Sequence, residues 1–437
     1  MMKRFRLWLD ALRTSLWFVP SLIVIGAVIL AYAMLAADAA LPPHWWEKPQ
    51  WFNTFMNVRI RGASAMLQVI GSSIITIAGV VFSITIAAIT LAAGQYTSRV
   101  LRNFIRDRGN QAVLGTFLGI FVYCMLVLRS LSADSPADQA PPLAMLGALA
   151  LAFLGIAVLI YFIHHIVQGL QATNVVAAIA RDAMPSIDHH FPQRFEPPDE
   201  GNVATNRPET SERSQLRAMR SGYITGIDYD LLARRAEKFG GLVRIDRSAG
   251  HFIARGEVMA ELRSAEPLEK PTIDELHDAW SFAPQRTMAN DPGYGLRQLV
   301  DVAIKALSPG INETTTCVMC LNWIGVMLLH MAERRFPPQL HSREGTIRVV
   351  THALKLGDCI ALAFDQIRQN AAGNVAILER QLEVLLALAN SIGARVARQP
   401  ILLQVDAIEA LANQSIPWEP DRKPLFELVQ KVREQLG

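Results

Sequence analysis

The chain has 437 residues, 51% of them hydrophobic and only 19% charged, against ~25% charged in soluble domains, with a mean hydropathy of +0.23. These values exclude intrinsic disorder, a collagen-like repeat and a small disulfide scaffold, and the length suggests two or three folding units. A net charge of +3 gives no case for a nucleic-acid binder.

Nearly all the excess apolarity lies before residue 181. Residues 14–37, 62–98, 109–128 and 139–180 contain no formal charge. A hydrocarbon core ~30 Å thick needs ~20 apolar residues, so four transmembrane helices are expected, near 16–37, 65–91, 112–131 and 143–163. The first run exceeds the h-region of a signal peptide and reads as an uncleaved anchor. Lys3, Arg4, Arg6 and Arg13 precede it, and Arg99, Arg102, Arg106 and Arg108 follow the second run, whereas residues 132–142 hold Asp134 and Asp138 and no basic residue. On the positive-inside rule both termini face the cytoplasm, although Arg129, Lys48, Arg59 and Arg61 lie toward the other side. Trp45, Trp46 and Trp51 suit an interfacial aromatic belt.

The second run is the unusual one. Its 37 uncharged residues would make a helix ~55 Å long. Thr76, Ser83, Thr90 and Thr97 recur every seven residues, with Ser72 on nearly the same face. Two readings stay open. Small hydroxylated residues let helices pack closely; alternatively, copies of this helix surround an axis and the stripe lines a pore. Arg99, Arg102 and Arg106 share one helical face beyond it, as a topology anchor against anionic headgroups or a basic vestibule. Gly115 and Gly119, and Ala144, Ala148, Ala152 and Gly155, form close-packing seams on the third and fourth spans. His164 and His165 point ~100° apart on a helix, which disfavours a shared metal.

Residues 182–220, with Pro185, Pro192, Pro197, Pro198 and Pro208, read as a linker. A small β-rich module at 221–265 follows, with a helix near Tyr229–Phe239. Its alternation around Gly250 and Gly256 resembles the hairpin of lipoyl or biotinyl carriers, which implies a barrel-like module, but the carrier lysine has no counterpart. A cytoplasmic helical bundle is expected over 271–437, with helices near 272–282, 295–307, 314–335, 346–371, 374–396, 404–413 and 424–435. The fold class is thus an α-helical membrane protein with a cytoplasmic α+β region. The four cysteines read as unbridged, the apolar Cys317–Cys320 CxxC included.

Several strings are familiar: Phe82-Ser83-Ile84-Thr85-Ile86, Gln95-Tyr96-Thr97-Ser98-Arg99, Asp107-Arg108-Gly109-Asn110-Gln111, Phe162-Ile163-His164-His165-Ile166, Asp291-Pro292-Gly293-Tyr294-Gly295 and Ala306-Leu307-Ser308-Pro309-Gly310-Ile311-Asn312. With them the chain resembles a bacterial family of predicted inner-membrane proteins catalogued as a domain of unknown function. The chain departs from the pattern at Glu313-Thr314, where an acid–proline pair would be expected. The resemblance implies four spans and a soluble C-terminal domain, and no activity.

No nucleotide-loop, serine-hydrolase, zinc-protease or paired CxxC motif occurs, so neither an enzyme nor a cofactor or metal is expected. Asp291, Tyr294, Arg297 and Asn312 form the best polar constellation. They read either as capping plus an Arg297–Asp301 ion pair or as a ligand pocket. The expected partners are the bilayer and further copies of the chain, with any small molecule or ion unidentified. The reading is an oligomeric channel or transport-like conduit with a cytoplasmic gate; the alternative is a membrane sensor or scaffold.

Overall fold

The computed structural model describes residues 17–40, 60–95, 107–131, 140–193, 206–288, 291–336, 339–352, 354–391 and 394–437. They fall into two compact units, Met1–Asn174 and Val175–Gly437.

Among the described residues the first unit holds four long apolar helices, α1 (Phe18–Ala40), α2 (Ile60–Gln95), α3 (Arg108–Ser130) and α4 (Pro142–Gly169). Packing, not water exclusion, holds such helices together in lipid, so close approach matters most. The glycines supply it. A Cβ on Gly115 would stand 2.8 Å from the Pro20 Cα, and one on Gly119 would stand 3.3 Å from the Ala27 Cβ, so this GxxxG seats α3 on α1. Gly155 lies against Ile74 and Ile120, bringing α4 onto α2 and α3. Phe117, Ile120, Tyr123, Ala144, Ala148 and Phe162 are buried between the helices, and the Tyr123 hydroxyl donates to the Ala144 carbonyl at 2.9 Å.

The second unit opens with α5 (Ala172–His190), whose first turn carries the division between units. It continues through β1 (Glu212–Arg217), β2 (Gly222–Ile227), α6 (Tyr229–Lys238), β3 (Leu242–Ile245), β4 (Phe252–Ile253), β5 (Val258–Ser264), α7 (Lys270–Leu276) and β6 (Trp280–Ala283). Then come α8 (Pro292–Ala306), α9 (Thr314–Ala332), β7 (Leu340–Arg343), β8 (Thr346–Thr351), α10 (Leu356–Gln369), α11 (Val375–Ala389), α12 (Ala394–Ser415) and α13 (Glu419–Leu436). The strands make an open five-stranded sheet, β1-β5-β3-β8-β7, and a three-stranded one, β4-β2-β6. Leu216, Val243, Ile245, Met259, Leu262 and Val349 share a core with Ile224, Trp280 and Leu232 of α6.

Three expectations need correction. No closed barrel forms among the described residues: β3 and β5 do pair antiparallel, but β3 takes β8 as its second neighbour and β2 turns to β6. The stretch read as a linker carries helix to His190 and strand β1. The expected helix at 346–371 begins instead as β8, where Thr346-Ile347-Arg348-Val349-Val350-Thr351 alternates in burial as a half-buried strand does.

Among the described residues, five helices are long and apolar enough to cross a membrane: α1 to α4, and also α9, more than half of whose apolar stretch is buried inside the second unit. The protein is therefore mostly helical, with a mixed sheet region.

Gly115→Ala should force α1 and α3 apart and cost about 1–3 kcal/mol, read as a lower melting temperature of the detergent-solubilised chain. Gly79→Ala, whose new methyl meets nothing within 4 Å, should leave that temperature unchanged in a monomeric preparation.

Candidate functional site

In the first unit α2 has two contrasting faces. Ala63, Leu67, Gly71, Ile74, Ala78, Val81, Ala88 and Ala92 are buried, in steps of three or four interrupted at the part-buried Thr85. Ser72, Thr76, Ser83 and Thr90 lie about 160° around the helix at 100° per residue and are exposed. Each hydroxyl donates backward within the helix: Ser72 to the Val69 carbonyl at 3.2 Å, Thr76 to Ser72 at 2.8 Å, Ser83 to Gly79 at 2.9 Å and Thr90 to Ile86 at 2.9 Å. With their protons engaged, these side chains present oxygen lone pairs outward. Gln68 and Gly79 share the face. Thr97, Arg99, Arg102 and Arg106 lie outside the described residues.

Each end of this helical unit is pinned by an aspartate. At one end Asp38 of α1 accepts from the Leu143 and Ala144 amides, both at 2.9 Å, capping α4 from another helix. At the other, the Asp107 Oδ1 caps α3 through the Gly109 amide at 2.8 Å, and its Oδ2 meets the His165 Nε2 of α4 at 2.5 Å. A Cβ on Gly109 would stand 2.8 Å from that nitrogen, so glycine is what admits the imidazole. His165 also stacks on Tyr161, ring centroids 5.3 Å apart, while His164 turns to Gln168. Sequence reasoning missed both pins. The signal for the first was available: α4 starts at Pro141-Pro142 with no capping side chain of its own, so its first amides need an acceptor from elsewhere.

In the second unit a cavity of about 400 Å³ is lined by β2, the 248–251 loop and the start of α8, among other segments, with Thr225, Ser248, His251, Arg286, Asp291 and Leu362 in its wall. Asp291 caps α8 through the Gly293 amide at 3.1 Å and binds Arg286 through Nε at 2.7 Å and Nη2 at 2.5 Å. The Arg286 guanidinium lies 5.1 Å from the centroid of the buried Tyr294 ring. Gly250, at φ +88°, brings the loop so close that a Cβ would be driven into the Asp291 carboxylate.

Of the four residues read as a ligand pocket, Asp291 and Tyr294 are thus brought together, by Arg286, which was overlooked. Arg297 turns to Asp301 at 2.8 Å, the pair expected from its spacing. Asn312 is exposed past the far end of α8, with φ +49°, roughly 20 Å of helix away from Asp291. The four do not form one site.

Tyr229, also in the cavity wall, stacks on His341 with ring centroids 4.6 Å apart. Burial holds the His341 imidazole below the usual histidine range, partly offset by Asp230, and among the described residues its Nε2 has no hydrogen-bond partner. Burial raises the Tyr229 phenol.

A set of long apolar helices joined to a unit of mixed sheets and helices defines a multi-pass membrane protein. The chain belongs to the family described as "Predicted membrane protein (DUF2254)", which matches residues 13–387. It is 26% identical over 385 residues to an uncharacterized protein of Mycobacterium bovis, covering 85% of this chain and 72% of that one. An uncharacterized protein of Mycobacterium tuberculosis matches with the same identity and coverage. No solved structure matches.

Gly250→Ala should destabilise the second unit by about 1–3 kcal/mol, seen as an earlier melting transition, because the new methyl meets both a left-handed backbone and a carboxylate. His341 is neutral when buried, so the stability it allows is present above the ordinary histidine range and lost as pH falls through that range. His341→Gln should therefore flatten the fall in melting temperature between about pH 7.5 and about pH 5.5; an unchanged slope would place the acid sensitivity elsewhere.

Proposed function

We propose that the chain crosses a bacterial inner membrane four times, through α1 to α4, with both termini and the second unit on the cytoplasmic side. Copies associate around α2 to form a channel or transport-like conduit, gated by the second unit. The basic clusters before α1 and after α2, against the acidic 132–142 connection, support that orientation. In this reading α9 is a core helix of the second unit: Cys317, Cys320, Leu321, Ile324, Met327, Leu328 and Met331 are all buried there.

One observation carries the conduit. The hydroxyl face of α2 points away from the described helices that α2 packs against in its own chain, and carries Ser72, Thr76, Gly79, Ser83 and Thr90 over several turns, with the apolar Val69 and Ile86 at its edges. Its outward lone pairs and lack of formal charge suit a water-filled passage that solvates small cations more readily than anions. Arg99, Arg102 and Arg106 would stand at its inner mouth.

A second reading, a sensor or scaffold without transport, is favoured by the cavity beside Arg286 and Asp291, whose size is within the range of small-molecule sites.

Single cysteines at Thr76→Cys, Ser83→Cys and Thr90→Cys, with Cys124 replaced, separate the two in proteoliposomes. The conduit requires labelling by membrane-impermeant thiol reagents at all three, with Ile75→Cys protected, and an ion flux that labelling blocks. Protection of all three without flux would leave the face as a helix-packing seam and the sensor reading ahead.

A further inference from the structure

The five-stranded sheet has two unlike faces. Pairing of Arg213 with Arg263, Gln215 with Glu261, and Arg244 with Glu261 puts these side chains on one face, opposite the buried Leu216, Val243 and Met259. By the parallel register of β3 and β8, with Val243 beside Val349, Arg348 falls on that same face. Arg217 continues it along β1. Five guanidiniums thus share one face with two carboxylates, Glu261 and Asp246. Glu261 sits among three of them, 2.9 Å from Arg263, 3.7 Å from Arg213 and 3.8 Å from Arg244. That spacing holds the arginines apart, as a surface and not a single pocket.

The face is open along β1 and over Arg244: the Arg213 side chain is 73% exposed and that of Arg244 44%, whereas Arg263 and Arg348 are part-buried and Leu242, paired with Arg263, is buried; α6 packs on the sheet from the other side. Two residues past Arg217, Met219 is 66% exposed at the rim. All five cations are arginine, whose planar fork matches phosphate oxygens, and none is lysine.

We propose that this sheet face docks on a bilayer surface, with its arginines on the phosphates of anionic lipid headgroups and Met219 dipping among them. The occupant follows from charge complementarity and from tethering. The chain carries apolar helices long enough to anchor it, so a phosphate-bearing surface is held at high effective concentration near this unit. The inference needs only that anchorage and stands whether or not α2 lines a conduit.

The test uses the full chain in nanodiscs, with Gln215→Cys carrying a fluorophore and a quencher on the lipid headgroups; the four native cysteines are buried. Quenching in discs containing phosphatidylglycerol should be several-fold above that in phosphatidylcholine and should collapse at about 0.5 M salt. Arg213→Gln and Arg244→Gln should each lower the docked-to-free ratio about five-fold, while Arg213→Lys, which keeps the charge but not the planar fork, should fall between the native chain and Arg213→Gln. Equal quenching in the two lipids would overturn the proposal, as would quenching that survives loss of both arginines. Salt-sensitive binding of a duplex oligonucleotide with no response to phosphatidylglycerol would overturn it in favour of a nucleic-acid partner.

Discussion

The first amides of a helix have no acceptor within the helix itself, and that constraint organises the first unit. Asp38 supplies the acceptors that the Pro141-Pro142 start of α4 lacks, and Asp107 does the same for α3 while reaching His165. Both carboxylates therefore act across helices as well as at a terminus. They set which ends of α1, α3 and α4 meet, and the glycine seams then let the bodies of those helices close. Without the pins, the seams alone would leave sliding between helices weakly opposed, since lipid offers little hydrophobic drive for any one register.

The two faces of α2 follow from the same economy of contacts. The face with small and branched apolar residues at three- and four-residue steps is consumed by its own chain. The opposite face keeps Ser72, Thr76, Ser83 and Thr90, with each proton returned to the preceding turn. A hydroxyl satisfied in this way can sit against lipid, another helix or water at little cost. These four line up on one side, near Gln68 and Gly79, while Ser64, Ser73 and Thr85 lie on other sides of the same helix.

In the second unit the sheets and helices meet around an internally neutralised pair. Arg286 and Asp291 compensate each other, Tyr294 lies under the guanidinium, and Gly250 allows the loop to close over them. The cavity beside them combines polar groups with Leu362 and other apolar contacts. Outside this junction, the alternation of β1, β3 and β5 separates an apolar face from an arginine face. One strand pattern thereby supplies both a core and a charged surface.

The sequence by itself determined the features that depend on local composition. Charge-free runs located the apolar helices, the glycine and alanine spacing marked their contact faces, Asp291 announced a cap, and Arg297–Asp301 followed from helical period. The seven-residue hydroxyl stripe was legible because a helix converts that spacing into one side. Tertiary structure alone decided the rest, because those contacts join residues far apart in the chain. Nothing local links Asp38 to Leu143 or Asp107 to His165. Strand β8 shows the same limit from the other side: its alternation was present in the sequence, but beside a helix its meaning depended on β3, about a hundred residues earlier. Which partner a face finds is a property of the folded whole, and so the barrel expected from the hairpin gave way to an open sheet.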